Sequence, residues 1–135
     1  MGQWRRYQLA NTAGVALLAT PGTYQARTDF QRFRVERFLI TARVSTFGVF
    51  LGSASANRLT LRVAGSTSAV LLDARDTTEF ANSVRPLGTV GVNQVFEIVP
   101  ADLVLDPETR IEAVLANTLP SGAEMRICVE GRYEA

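Results

Sequence analysis

The sequence has 135 residues, 47% of them hydrophobic and 20% charged, with a formal net charge of +1. That is the size of one domain with the apolar material for a single core, and its near-neutral balance gives no global pull toward nucleic acid or membrane. It contains no histidine and a single cysteine, Cys128, which excludes imidazole acid–base chemistry, Ser-His-Asp and Cys-His nucleophiles, an internal disulfide and a zinc cluster within the chain.

All 14 basic residues are arginine and none is lysine. Arginine presents a planar fork of donors and is enriched at protein interfaces; a GC-rich coding sequence would also favour it. The low share of charge suggests that part of the surface is covered by something else. No apolar run approaches the 20 or so residues of a membrane span, and Ala13–Ala19 is too short and glycine-interrupted for a signal peptide, so a soluble domain is expected.

In chain order, residues 1–30 read as an arm with one short strand at Val15–Ala19, followed by the turn signal Thr20-Pro21-Gly22. Phe33 to Leu51 reads as one long strand, or two broken near Ser45–Gly48, with Phe38, Ile40, Ala42 and Val44 on one face and Arg37, Leu39, Thr41 and Arg43 on the other. Ser53–Asn57 is a loop. Arg58–Val63 alternates Leu59, Leu61 and Val63 against Arg58, Thr60 and Arg62, and a turn with Gly65 leads to a hairpin partner at Ala69–Ala74. Residues Thr77–Val84 fit a short helix or a loop crossing closed by Pro86 and Gly88, and Gly88 to Gly91 a flexible crossing between sheets. Strands follow at Val95–Val99, at Leu103–Leu105 (or only a loop), at Arg110–Ala116 and, after a turn at Asn117–Gly122, at Glu124–Glu130, where Met125, Ile127 and Val129 face in. Seven to nine strands with no long helix predict an all-β antiparallel β-sandwich. The long connection over 75–94 favours jelly-roll or Greek-key wiring, with the arm at 1–30 and one domain at 31–135.

Acidic residues are the acid–base equipment left. Asp73 with Asp76, and Asp102 with Asp106, are the pairs a glycosidase could use if their carboxyls met in a cleft; the same spacing suits solvated turns. The oxygen-rich pattern of a calcium loop is absent. Gly88-Thr89-Val90-Gly91 lacks the lysine and helix of a phosphate loop. Cys128 falls on the polar side of its strand; Arg126 could lower its pKa, or a neighbouring element could simply cover it. Neither cofactor nor metal is expected.

Partner binding has better candidates. The arm carries Trp4, Arg5, Arg6 and Tyr7, residue types that dominate interface hot spots; it packs on its own body or on a neighbour's sheet edge. Arg37 and Arg43 share one strand face and Arg58 and Arg62 another, and these would form a basic patch if the strands were neighbours. Glu112, Glu124 and Glu130 also face outward, and a cross-strand pair such as Glu112 with Arg126 would neutralise charge locally, so nucleic acid is not expected as the main partner. Leu39 and Val114 are candidates for an outward apolar patch.

Phe96-Glu97-Ile98-Val99-Pro100, Val104-Leu105-Asp106, Arg110–Asn117 and Ile127-Cys128-Val129-Glu130-Gly131-Arg132-Tyr133 resemble the ends of small β-sandwich proteins of tailed-phage particles, where a closing strand ends in Gly-x-Tyr. The resemblance covers the C-terminal third. It implies a non-enzymatic virion structural protein that binds capsid or tail subunits and copies of itself, assembled in the host cytoplasm, with no membrane partner. A carbohydrate-binding module is the alternative, using Trp4, Tyr7, Tyr24 or Tyr133 as exposed aromatics, and a small hydrolase with a buried carboxylate pair is a further rival.

Overall fold

The computed structural model describes residues 3–27, 31–43, 51, 58–64, 69–91, 93–107, 109–119 and 123–134. Ten strands and one short helix lie among them: β1 (Trp4–Gln8), β2 (Gly22–Arg27), β3 (Phe33–Arg43), β4 (Leu59–Ala64), β5 (Ala69–Ala74), α1 (Thr77–Ser83), β6 (Arg85–Val90), β7 (Asn93–Ile98), β8 (Val104–Leu105), β9 (Arg110–Leu115) and β10 (Glu124–Tyr133). The expected break at Ser45–Gly48, the loop at Ser53–Asn57, the turn at Gly65 and the placement of Val44 lie outside the described residues.

The strands form two antiparallel sheets. Sheet A runs β1-β10-β3-β7-β6 with β8 against β3, and sheet B runs β2-β9-β4-β5. Four of the pairings, β1 with β10, β2 with β9, β3 with β7 and β4 with β5, are nested like the arms of one long folded-back hairpin. Rolling that hairpin up brings β10 beside β3 and β9 beside β4. This is the wiring of a jelly roll, so the β-sandwich expected from the strand pattern is the observed architecture.

The described part of the expected arm, residues 3–27, is built into the sandwich. Chain 3–27 supplies an edge strand to each sheet, and the crossing between them is pinned where Ala10 and Gln25 exchange main-chain bonds of 3.1 and 2.8 Å. Val15–Ala19 is no strand; within it Leu18 alone bridges to Met125.

Inside, the period-two residues of both sheets meet. Phe38, Ile40 and Ala42 of β3, Leu59, Leu61 and Val63 of β4, Ile111, Ala113 and Leu115 of β9, and Met125, Ile127 and Val129 of β10 are buried. Each large side chain so enclosed contributes roughly 1.5–3 kcal/mol. The connection from sheet B back to sheet A is α1, capped by the Asp76 carboxylate, which accepts from Glu79 N at 2.8 Å. Its Phe80 is fully buried and meets Phe96 edge-on with ring centroids 5.2 Å apart.

Residues 85–90, of which Gly88 to Val90 belong to an expected crossing, are strand β6. Every one of them is exposed, so no burial pattern marks the strand. A bulge against β7 between Pro86 and Gly88 uses a left-handed φ of 118° at Gly88, which glycine adopts without steric cost. At the sheet's other side, a bulge at Glu130/Gly131 draws β10 so close to β3 that a Cβ on Gly131 would lie 2.0 Å from the Arg34 carbonyl oxygen.

Candidate functional site

The outer face of sheet A is built by the alternate residues that do not enter the core. Its central row is an ion-pair ladder. Arg6, Glu130 and Arg37 stand directly opposite one another on β1, β10 and β3. Arg6 Nε donates to Glu130 Oε2 at 2.5 Å and Arg37 Nε to Glu130 Oε1 at 2.6 Å. Arg37 reaches on to Glu97 of β7 at 3.4 Å, and Arg85 of β6 meets the other Glu97 oxygen at 3.4 Å. Five strands are thus tied by alternating charge.

Both glutamates lie beneath their arginines: Glu130 is 1% exposed and Glu97 7%. Burial pushes the Glu130 carboxyl up, but the hydrogen bonds from Arg37 and Arg6 and their charges outweigh it and hold the group below the usual glutamate range. An acid kept ionised in this way is the opposite of the raised, proton-donating carboxyl a glycosidase needs.

Toward the other end of the same face, two rows of residues, polar but for Val95, cross three strands. Glu124, Arg43 and Asn93 form one row on β10, β3 and β7, and Arg126, Thr41 and Val95 the next. Thr41, Arg43, Asn93, Glu124 and Arg126, together with Leu17 and Met125, line a shallow depression of about 320 Å3. Arg43 and Glu124 form a loose ion pair at 3.8 Å. The set contains donors (two guanidiniums and an amide), acceptors (a carboxylate and an amide oxygen) and a hydroxyl that does both. It holds one carboxylate where hydrolysis of a glycoside requires two.

The residues expected from sequence are scattered by the fold. Arg37 and Arg43 lie on sheet A and Arg58 and Arg62 on sheet B, so no basic patch forms. Each has a carboxylate partner: Arg58 Nε and Nη2 hold Asp73 at 2.7 and 2.5 Å, and Arg62 reaches Glu112 at 3.3 Å. Glu112, only 4% exposed, is also held by Arg110 at 2.9 Å; Arg126, on the other sheet, is not its partner. Leu39 and Val114 are half-buried on opposite sheets and make no common patch.

In the N-terminal stretch, Trp4 is 45% exposed with the Arg132 guanidinium 5.5 Å above its ring. Arg5 is exposed and donates to Gln3 at 3.0 Å. Arg6 belongs to the ladder. Tyr7 turns inward, its hydroxyl bonded to that of Tyr133, with both rings edge-on to Phe33 at 5.5 Å. Tyr24 is buried and donates to the Thr20 carbonyl at 2.9 Å. Of the four aromatics considered for stacking on a sugar, only Trp4 is at the surface.

The other candidates are accounted for locally. Asp73 is held by Arg58, whose hydrogen bond keeps its carboxyl below the usual range; Asp76 caps α1. Asp102 pairs with Arg34 at 2.7 Å, and Asp106 with Arg32 at 3.4 Å. Neither aspartate pair forms a catalytic couple. Among the described residues no group of three or more acidic or cysteine side chains could hold a metal ion. Cys128 stands between Gln8 and Leu39, half-buried, and burial pushes its thiol up.

Comparison with known proteins adds little. No protein-family model matches the sequence, and a search of curated proteins finds no significant match. Among solved structures, the chain is similar to a family 6 carbohydrate-binding module at a TM-score of 0.42 and 10% identity, covering 96% of this chain and 86% of that one. A second such module, from Clostridium stercorarium and in complex with cellobiose, gives 0.35 at 7% identity, over 98% and 86%. The structure of infectious bursal disease virus, Gx strain, gives 0.32 at 12% identity, over 95% of this chain and 32% of that one. No family is shown. Likenesses this distant carry no argument about function, and the jelly roll rests on the chain's own strand pairing.

Proposed function

We propose that this chain is a non-enzymatic binding module and that the ligand its sheet A face fits best is a carbohydrate. The observation that carries this reading is the depression lined by Thr41, Arg43, Asn93, Glu124 and Arg126. Sugar hydroxyls each donate and accept, so they match a site that mixes both kinds of group within two adjacent rows. A phosphate would meet the Glu124 carboxylate, and an apolar ligand would leave the five polar side chains unpaired. With no aromatic among the described residues that line the depression, affinity for a single sugar residue is expected on the order of 1 mM, about −4 kcal/mol. The test is binding of the full chain to a glycan array. Retention of one class of glycan, lost in Asn93→Ala and Thr41→Ala, supports the reading; no retention, or retention indifferent to both changes, sinks it.

A second reading is an assembly subunit that binds copies of itself or other virion proteins, as the resemblance to tailed-phage proteins implies. Exposed apolar residues favour it: Val70 on β5 is 65% exposed, and Leu87 and Val90 on β6 are 43% and 70%. β5 and β6 are the edge strands of sheets B and A at the side joined by α1, and exposed apolar edges invite association. Light scattering decides it. An oligomer that dissociates in Val70→Glu or Val90→Glu supports this reading, and a monomer at high concentration counts against self-association. A fold that accommodates both lectins and capsid proteins does not choose between them.

A further inference from the structure

The register of β1 leaves one side of sheet A open in a specific way. Leu9 N donates to Ile127 O at 2.9 Å and Tyr133 N to Gln3 O at 3.2 Å. In this antiparallel register the odd residues of β1 therefore exchange main-chain bonds with β10, and the N–H and C=O of Trp4, Arg6 and Gln8 point away from the sheet. Among the described residues no strand lies beyond β1. The other edge of sheet A is blunted by a proline and a bulge in β6, two devices that discourage strand addition; β1 has neither.

The side chains around this edge are basic. Arg6 gives Nε and Nη2 to Glu130 while 56% of its side chain remains exposed. Arg132 lies over Trp4, and its Nε is 4.0 Å from Glu36. Both flank the outward main-chain groups on the outer face. A second copy of this strand is a poor occupant, because antiparallel pairing about the centre of β1 sets Arg6 against Arg6.

We propose that the β1 edge accepts an extended acidic segment of a partner protein as an added strand. The segment's main chain bonds to Trp4, Arg6 and Gln8, and its acidic residues, at every second position, meet Arg6 and Arg132. The inference stands on the β1 register and its charges and does not depend on what the depression binds.

The test uses the full chain and two labelled heptapeptides of one composition. One alternates, Thr-Glu-Val-Glu-Thr-Glu-Val; the other blocks its acids, Glu-Glu-Glu-Thr-Thr-Val-Val. Expected is binding of the first at least tenfold tighter than the second, with a tenfold or greater loss in Gln8→Pro, which removes an outward N–H and no charge. Slowed amide exchange at Trp4, Arg6 and Gln8 of the unaltered chain gives the same reading without a variant. Equal binding of the two peptides means charge attraction only and overturns the proposal, as does no binding of the alternating peptide or unchanged exchange at those three amides.

Discussion

Arg6 and Glu130 stand directly opposite one another on β1 and β10, so one ion pair ties the first described strand to the last. Because Glu130 is 1% exposed and is held from the other side by Arg37, it is the point on which the outer row of sheet A closes. Removing its charge leaves two arginines that can turn to solvent, while removing an arginine leaves a buried carboxylate half-satisfied. Glu130→Gln is expected to cost about 1–2 kcal/mol and Arg37→Ala about 2–3 kcal/mol, measured by urea denaturation.

The same carboxylate gives stability a defined pH dependence. Its folded-state pKa lies below the ordinary value of 4.5, so the folded state binds the proton more weakly than the unfolded chain does. The stabilisation is present above the unfolded value and is lost as pH falls through the folded one. Stability should therefore be level near neutrality and decline below about pH 5, with a shallower decline in Glu130→Gln. Identical acid limbs in the two proteins would remove Glu130 from the explanation.

Gly131 tests how closely β10 and β3 approach. An alanine there places a Cβ 2.0 Å from the Arg34 carbonyl oxygen, which belongs to the backbone and cannot rotate away. Gly131→Ala is expected to cost about 2–3 kcal/mol. At Gly22 the nearest atom to an added Cβ is a ring carbon of Tyr24 at 3.7 Å, an ordinary contact, so Gly22→Ala should change stability by less than about 1 kcal/mol. Comparable losses in the two variants would contradict the close approach.

Cys128 should be sluggish. Burial raises its thiol above the ordinary range despite the nearby Arg6 and Arg126, and the thiolate is the reactive form. Reaction with a disulfide reagent at pH 7 is expected to be at least tenfold slower in the folded chain than in urea.

How much could be read in advance follows from burial. β4, β9 and β10 have one face in the core, and their alternation marks them directly in the sequence. β1 is exposed at four of its five positions and β6 at all six; neither carries an apolar period, and Pro86 and Gly88 read as breakers of a strand that needed one of them for a bulge. The site was hidden for a different reason. Thr41, Arg43, Glu124 and Arg126 read as outward residues from the alternation of their strands, but they and Asn93 come together only through the register of three strands distant in sequence. Whether Arg37, Arg43, Arg58 and Arg62 could share a patch turned on the same unknown, since it required β3 and β4 to be neighbours and the roll puts them in different sheets.

The most direct test of the binding-module account is a two-dimensional amide NMR titration of the full chain with the saccharide class retained on the array, carried to tens of millimolar. Saturable shifts confined to Thr41, Arg43, Asn93, Glu124, Arg126 and their neighbours, with none at the buried Tyr24, are the expected result. A spectrum that does not move, or shifts centred on sheet B, would contradict a carbohydrate site on the face of sheet A.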